Sequence, residues 1–224
     1  KIRLGVIGRK ESFNKITSSI NENDKVIWIH CSSLGEYEQG LPVIKKLKEK
    51  YNSHKIVLTF LSPSGYEVKK TSSEVDLVIY LPLDSNRNAK KFIKALHPEL
   101  VVFVKNEIWP NYLKYIKKYK IKSALVCGLF KKDDIKFSWP FNFLVNSILK
   151  FDYVLVQDEE SKNTIQSLGH NNTHVCGDTR FDRVDSTSSQ DDSIKYIDQF
   201  KSDKLCLVAG SIWKEDQIIL VDYI

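Results

Sequence analysis

The sequence predicts an α/β protein built on an open parallel sheet with helices on both faces. Three observations lead there. Short runs rich in Val, Ile, Leu and Phe recur at 26–30, 55–60, 75–81, 100–105, 123–127, 153–157, 173–176 and 205–209. They are apolar throughout rather than alternating, as strands buried on both faces must be. Most of the intervals between them carry apolar residues at helical spacing, at 38–51, 64–72, 88–96, 110–119, 141–150 and 159–168. Such alternation builds parallel sheets through crossover connections. Finally, the runs end in small or polar turn-formers, which in these sheets lie beside the ligand crevice.

The bulk numbers narrow the function classes. At 224 residues, 42% of them hydrophobic, the chain suits one large domain or a domain and part of a second. Its formal charge of +6 comes mostly from Lys, since Arg stands only at 3, 9, 87, 180 and 183. Such a surface attracts anions or a membrane in general more than it reads phosphates bidentately. No Lys/Arg block is dense enough to indicate a nucleic-acid partner. Cys31, Cys127, Cys176 and Cys206 are widely spaced with no CxxC pair, which predicts buried free thiols in a reducing compartment. No stretch reaches the roughly 18 apolar residues of a spanning helix. The chain starts at Lys1 and contains no methionine, so it is read as a processed piece, which leaves room for a preceding membrane anchor.

Taken in order, residues 1–20 mix basic residues with Leu4, Val6, Ile7, Phe13 and Ile16, predicting a strand or a short helix. From Val26 the pattern is regular. The 38–51 helix puts Val43, Ile44, Leu47 and Tyr51 on one face, and its Pro42 requires a place near the first turns. Residues 1–184 then form one domain. The polar stretch within 185–203 reads as a linker, and 204–224 as the first strand, turn and helix of a second domain.

Chemistry concentrates at the strand ends. The first run breaks at Ser32, Ser33 and Gly35 and is followed at once by Glu36. Glu36 is either a carboxylate facing the crevice or a first-turn acid that favours a helix N-terminus. Ser62, Ser64 and Gly65 follow the second run, where serines and Gly at a helix N-terminus suit an anion, and Asp84 follows the third; alternatively Ser62, Ser64 and Asp84 are turn and cap residues. Glu107 follows a strongly apolar run and precedes Trp109-Pro110, where a helix can start. It joins Glu36 at a common crevice or pairs with a lysine such as Lys105. Two such carboxylates suit general base catalysis on a hydroxyl, with the second orienting substrate. His30 and Cys31 are strand neighbours on opposite faces and share no metal. His54, His97, His170 and His174 lack ligand spacing and are expected at the surface or in caps. Glycine-rich nucleotide loops and an Asp-Xaa-Asp pattern are absent.

Several motifs fall in one order: Trp28-Ile29-His30-Cys31-Ser32-Ser33-Leu34-Gly35-Glu36, Thr59-Phe60-Leu61-Ser62-Pro63-Ser64-Gly65, Leu81-Pro82-Leu83-Asp84, Asn106-Glu107-Ile108-Trp109-Pro110-Asn111, Gly177-Asp178-Thr179-Arg180-Phe181-Asp182 and Gly210-Ser211-Ile212-Trp213-Lys214-Glu215-Asp216. With them the chain resembles the 3-deoxy-D-manno-octulosonic acid (Kdo) transferases of lipopolysaccharide biosynthesis, in a form like that of Bacteroidetes-type bacteria. The resemblance implies a GT-B fold, two Rossmann-like halves facing a cleft. The N-terminal half would take a lipid A precursor, and the C-terminal half CMP-Kdo as donor, in an inverting, metal-free transfer. Glu36 would be the general base and Glu107 a second active-site carboxylate. Ser32, Ser33, Gly35, Ser62, Ser64, Gly65, Asp84 and Lys131 would bind or shape substrate; around 127–131 some relatives carry Asn-Ala-Arg, an arginine without a match here, for which Lys131 would substitute as a cation but not a bidentate one.

The resemblance also implies work at the cytoplasmic face of the bacterial inner membrane, with Leu4, Val6, Ile7 and Phe13 as an apolar lip for acyl chains. It further implies that these residues alone are inactive. The rival readings are another GT-B enzyme, such as a nucleotide-sugar epimerase, and a binding module for anionic lipids without catalysis.

Overall fold

A computed structural model describes residues 2–131, 142–188 and 196–222, with the side chains at 2–4, 6–7, 142, 186–188 and 198 outside that description. It divides into two compact units, up to Thr187 and from Ser188 onward.

In the first unit, helix α1 (Ile2–Ser19) leads into β1 (Lys25–Cys31), α2 (Leu34–Lys50), β2 (His54–Phe60), α3 (Pro63–Lys69) and β3 (Leu77–Tyr80). Then come α4 (Asn86–Leu96), β4 (Leu100–Val104), α5 (Pro110–Lys118), β5 (Lys122–Gly128) and α6 (Asn142–Ile148). The unit closes with β6 (Tyr153–Val156), α7 (Glu159–Ser167), β7 (Thr173–Val175) and α8 (Thr179–Ser188). The seven strands form one sheet in the order β3-β2-β1-β4-β5-β6-β7, with every pair parallel. This is the expected Rossmann-like α/β half. The order reverses between β1 and β4, and such a switch point opens a crevice at the carboxyl ends of the two strands.

Side-chain alternation along the strands supplies both faces. Val26 and Trp28 point to a core shared with Phe92 of α4, Tyr112 and Leu113 of α5 and Ile16 of α1. Ile27, Ile29 and Cys31 point to the other core, with Tyr37, Leu41 and Ile44 of α2 and Tyr66 of α3. That period of two along β1 is why one strand serves two cores.

Several expectations need correction. Residues 2–19 form one long helix, with Phe13 half-buried against the core; the side chains of Leu4, Val6 and Ile7 in the expected acyl lip lie outside the described ones. Helix α2 begins at Leu34, so Pro42 lies in its interior, not its first turns. There the missing N–H leaves the Glu38 carbonyl without its helical donor. Helix α8 forms where no helix was expected. Among the cysteines, Cys31 and Cys127 are buried as expected, but Cys176 is exposed and Cys206 partly so. His170 is a buried residue, held by Thr173 Oγ1 and the Phe151 carbonyl, both at 2.9 Å.

In the second unit, described from 196, the short helix α9 (Ile197–Lys201) and α10 (Lys214–Val221) form. The strand expected at 205–209 does not: the segment is irregular, and Leu205, Leu207 and Val208 are exposed. A strand needs a neighbour to satisfy its backbone, and the described residues of this unit offer none.

Candidate active site

The site grows out of the two strands at the switch point. After β1 the chain turns through Ser32, and Ser33, in extended conformation, is the N-cap of α2. Glu36, three residues on, turns back to accept the Ser33 N–H at 3.0 Å. The helix-start reading of Glu36 is therefore correct in geometry, and it does not compete with chemistry. The same bond aims a half-buried carboxylate at the strand ends. Burial raises its proton affinity above the ordinary range and the negative charge of Glu107 adds to that, against the Ser33 and Ser32 N–H groups and His30.

Glu107 belongs to the loop after β4. Lys105, just before it, sits in the left-handed region at φ 68°. The Asn106 amide bonds both the N–H and the carbonyl of Leu129 beyond β5, which pins the loop. Glu107 Oε2 accepts from Trp109 Nε1 at 2.8 Å and lies 3.5 Å from His30 Nε2. Burial pushes its proton affinity up, but the His30 contact, with smaller help from Ser32 and Trp109, outweighs this and leaves it below the usual carboxylate range. The partner is His30, not a lysine.

Sequence reading missed His30, having weighed it only as a metal ligand beside Cys31. Its ring is fully buried. Nδ1 lies 2.8 Å from Thr59 Oγ1 and 3.1 Å from the Thr59 carbonyl, and Nε2 lies 3.2 Å from Ser32 Oγ. The available signal was a lone polar residue in an apolar run, two positions from both Trp28 and Ser32 and hence on their face.

The other expected residues divide. The Ser62 N–H donates to the Ser32 carbonyl at 2.8 Å, which joins the β1 and β2 exits. Ser62 Oγ accepts from the Ser64 N–H as the cap of α3. Gly65 is buried, and a Cβ there would lie 2.3 Å from the Phe60 ring and 3.1 Å from the Leu34 backbone nitrogen. It is a close-approach position between α3 and the Ser33–Glu36 turn, while Gly35 is exposed in that turn. Asp84 accepts from the N–H groups of Asn111 and Tyr112, so it caps α5 beside the Glu107 loop. Lys131 is exposed and follows Phe130, whose N–H donates to Ser161 Oγ; no contact places it with the carboxylates.

The 177–182 motif comes to the same region. Gly177 has φ +77°, a left-handed turn that releases the chain into α8. Thr179 Oγ1 then donates to the Gln39 carbonyl of α2 at 2.6 Å, and Arg183 reaches Glu38 at 2.9 Å. Among the described residues, no three of His, Cys, Asp or Glu are grouped to hold a metal ion.

Comparison with known proteins adds identity to this geometry. Residues 7–183 match the family described as 3-Deoxy-D-manno-octulosonic-acid transferase (kdotransferase). A 3-deoxy-D-manno-octulosonic acid transferase of Aquifex aeolicus is 30% identical over 158 residues, 69% of this chain and 40% of that protein. One from Haemophilus influenzae is 26% identical over 203 residues, 87% of this chain and 47% of that protein. The chain thus spans less than half the length of these relatives. Among solved structures, the UDP-GlcNAc 2-epimerase of Neisseria meningitidis bound to UDP-GlcNAc superposes with TM-score 0.58 at 16% identity, over 80% of this chain and 53% of that one. A UDP-N-acetylglucosamine 2-epimerase from Rickettsia bellii gives 0.54 at 15% identity, over 80% and 51%. At such identity the likeness shows the shared fold, that of GT-B-like epimerases and glycosyltransferases. The ordered motifs, the sheet and the family match over residues 7–183 place the chain in the Kdo transferase family.

Proposed function

We propose that the chain is the acceptor side of an enzyme that transfers Kdo from CMP-Kdo to a lipid A precursor, with inversion and without a metal, at the cytoplasmic face of the bacterial inner membrane. The observation that carries this reading is the pair of carboxylates at the switch point, one with raised and one with lowered proton affinity. Carboxyl groups set apart in this way divide roles. Glu36 takes the proton of the acceptor's primary hydroxyl. The oxygen attacks the anomeric carbon of Kdo, and CMP leaves with the bonding electron pair. Glu107 stays ionised and orients the acceptor.

Ser32, Ser33 and Gly35 shape the turn that carries Glu36. Ser62, Ser64 and Gly65 line the neighbouring exit. The lysine-rich surface suits the lipid's phosphates, and Lys131 is an exposed cation near the exit of β5. No helix among the described residues is long and apolar enough to cross a membrane, so this part of the chain would meet its lipid from the surface.

The test is Kdo transfer by the complete enzyme, with CMP-Kdo against UDP-sugars as donors and with EDTA present. Glu36→Gln should lower turnover by about a hundredfold or more, as expected for loss of a general base, with an unchanged circular dichroism spectrum. Near-normal turnover would remove Glu36 from the mechanism, and product from a UDP-sugar would transfer the reading to another GT-B chemistry. The 224 residues alone should not turn over.

A further inference from the structure

We propose that His30 is a positioning residue for this site: clamped by Thr59, it anchors the Glu107 carboxylate at the switch point of the sheet. This rests on the transferase reading for its role in turnover, and on geometry alone for the anchoring. Both ring nitrogens are engaged. Thr59 Oγ1 already accepts from Trp28 Nε1, so its O–H is directed to Nδ1 at 2.8 Å, and the ring proton is assigned to Nε2. Nε2 faces Ser32 Oγ at 3.2 Å and Glu107 Oε2 at 3.5 Å. From there the Nε2 proton points toward the carboxylate.

The clamp is itself held. Trp28 Nε1 donates to Thr59 Oγ1 at 2.8 Å, and the rings of Phe103 and Trp109 stand edge-on to His30 at 5.7 and 5.8 Å. The charged groups that act on the ring are Glu107 from the loop after β4 and Glu36 from α2; β2 faces it with Thr59 and β4 with Phe103. An apolar residue would fill this strand position without desolvating a polar ring, since buried polar pairs are rarely the most stable filling. Anchoring Glu107 explains why a histidine stands there.

The experiment is a carbon-13 NMR titration of Glu-labelled chain, comparing wild type with His30→Phe, His30→Gln and Thr59→Val, alongside pH profiles of Kdo transfer by the corresponding complete enzymes. His30→Phe should raise the Glu107 midpoint by about one pH unit or more, a tenfold change in proton affinity. His30→Gln, which keeps a donor, should move it less. Thr59→Val, which removes the hydroxyl on Nδ1 and leaves the carbonyl contact, should move it in the same direction, and it serves if His30→Phe does not fold. In the enzyme, kcat should fall about tenfold or more in His30→Phe and partly recover in His30→Gln, with KM for the acceptor nearly unchanged. A purely structural histidine would lower Tm and leave the Glu107 midpoint of folded protein in place. An unmoved midpoint in the folded variants overturns the inference. Wild-type enzyme without Kdo transfer would count against the transferase reading alone, because the titration still decides the anchoring.

Discussion

Glu36 and Glu107 carry the same functional group, and only their surroundings separate them. Glu36 must be ionised to accept a proton, so transfer falls as pH drops through its pKa, which lies above the ordinary 4.5. In Glu107→Gln the like charge that contributes to this rise is gone, so the acid limb of kcat/KM should move to lower pH, as a pH profile would show. For stability the signs oppose. Glu107, lowered, contributes stability above pH 4.5 that is lost as pH falls through its folded-state value. Glu36, raised, favours the folded state below 4.5 and loses that contribution as pH rises through its higher value. Glu36→Gln keeps an oxygen for the Ser33 cap, so it should unfold at a higher Tm than wild type at pH 7, a gain that disappears near pH 4. Loss of activity with gain of stability is the signature of a group held for function. The candidacy of both carboxylates was legible from their places after apolar runs. The partner of Glu107 was not, because it lies 77 residues away on a strand that only the sheet order brings alongside.

At the scale of elements, the seven strands that form were legible because each is built around an apolar run, and their ends fell within two residues of expectation. Helix α2 shows where local rules yield. Pro42 argues for a helix starting near it, yet the helix starts at Leu34, because the Ser33 cap and the burial of Tyr37, Gly40, Leu41 and Ile44 on one face outweigh the lost bond. Replacing Pro42 by Ala should restore the N–H to the Glu38 carbonyl. An interior Pro costs about 3 kcal/mol against Ala, part of which is offset by its stiffer unfolded chain, so a gain of about 1–2 kcal/mol is expected in urea unfolding. Helix α8 escaped the sequence because its segment, Thr-Arg-Phe-Asp-Arg-Val-Asp-Ser-Thr-Ser, lacks an apolar stripe. Thr179 and Arg183 hold it to α2 by polar bonds, which leave no hydrophobic periodicity to read.

For the whole molecule, the two cores meet at β1. Trp28 is fully buried, with Phe92, Phe103 and Tyr112 at centroid distances of 4.9, 5.1 and 5.4 Å. It joins the α4–α5 core to the Thr59 clamp beneath the site. Trp28→Ala should cost about 3–5 kcal/mol in chemical unfolding, as other large-to-small changes in packed cores do. A loss under 1 kcal/mol would mean that this aromatic cluster does not carry the core. The effect should reach the site as well, since the Thr59 hydroxyl would lose its Trp28 donor.

By itself the sequence determined the class of fold, the positions of seven strands and the two carboxylates. Hydrophobic periodicity and turn chemistry are local, and they survive in a linear string. Only the tertiary structure decided the strand order, and with it that β1 and β4 are neighbours whose exits bring Glu36 and Glu107 to one crevice. It also decided that Asp84 caps a helix, that Gly65 is a point of close approach and that His30 is the partner of Glu107. Those are relations between distant segments, and in a parallel sheet every such relation is made through a crossover whose endpoint the local pattern does not encode.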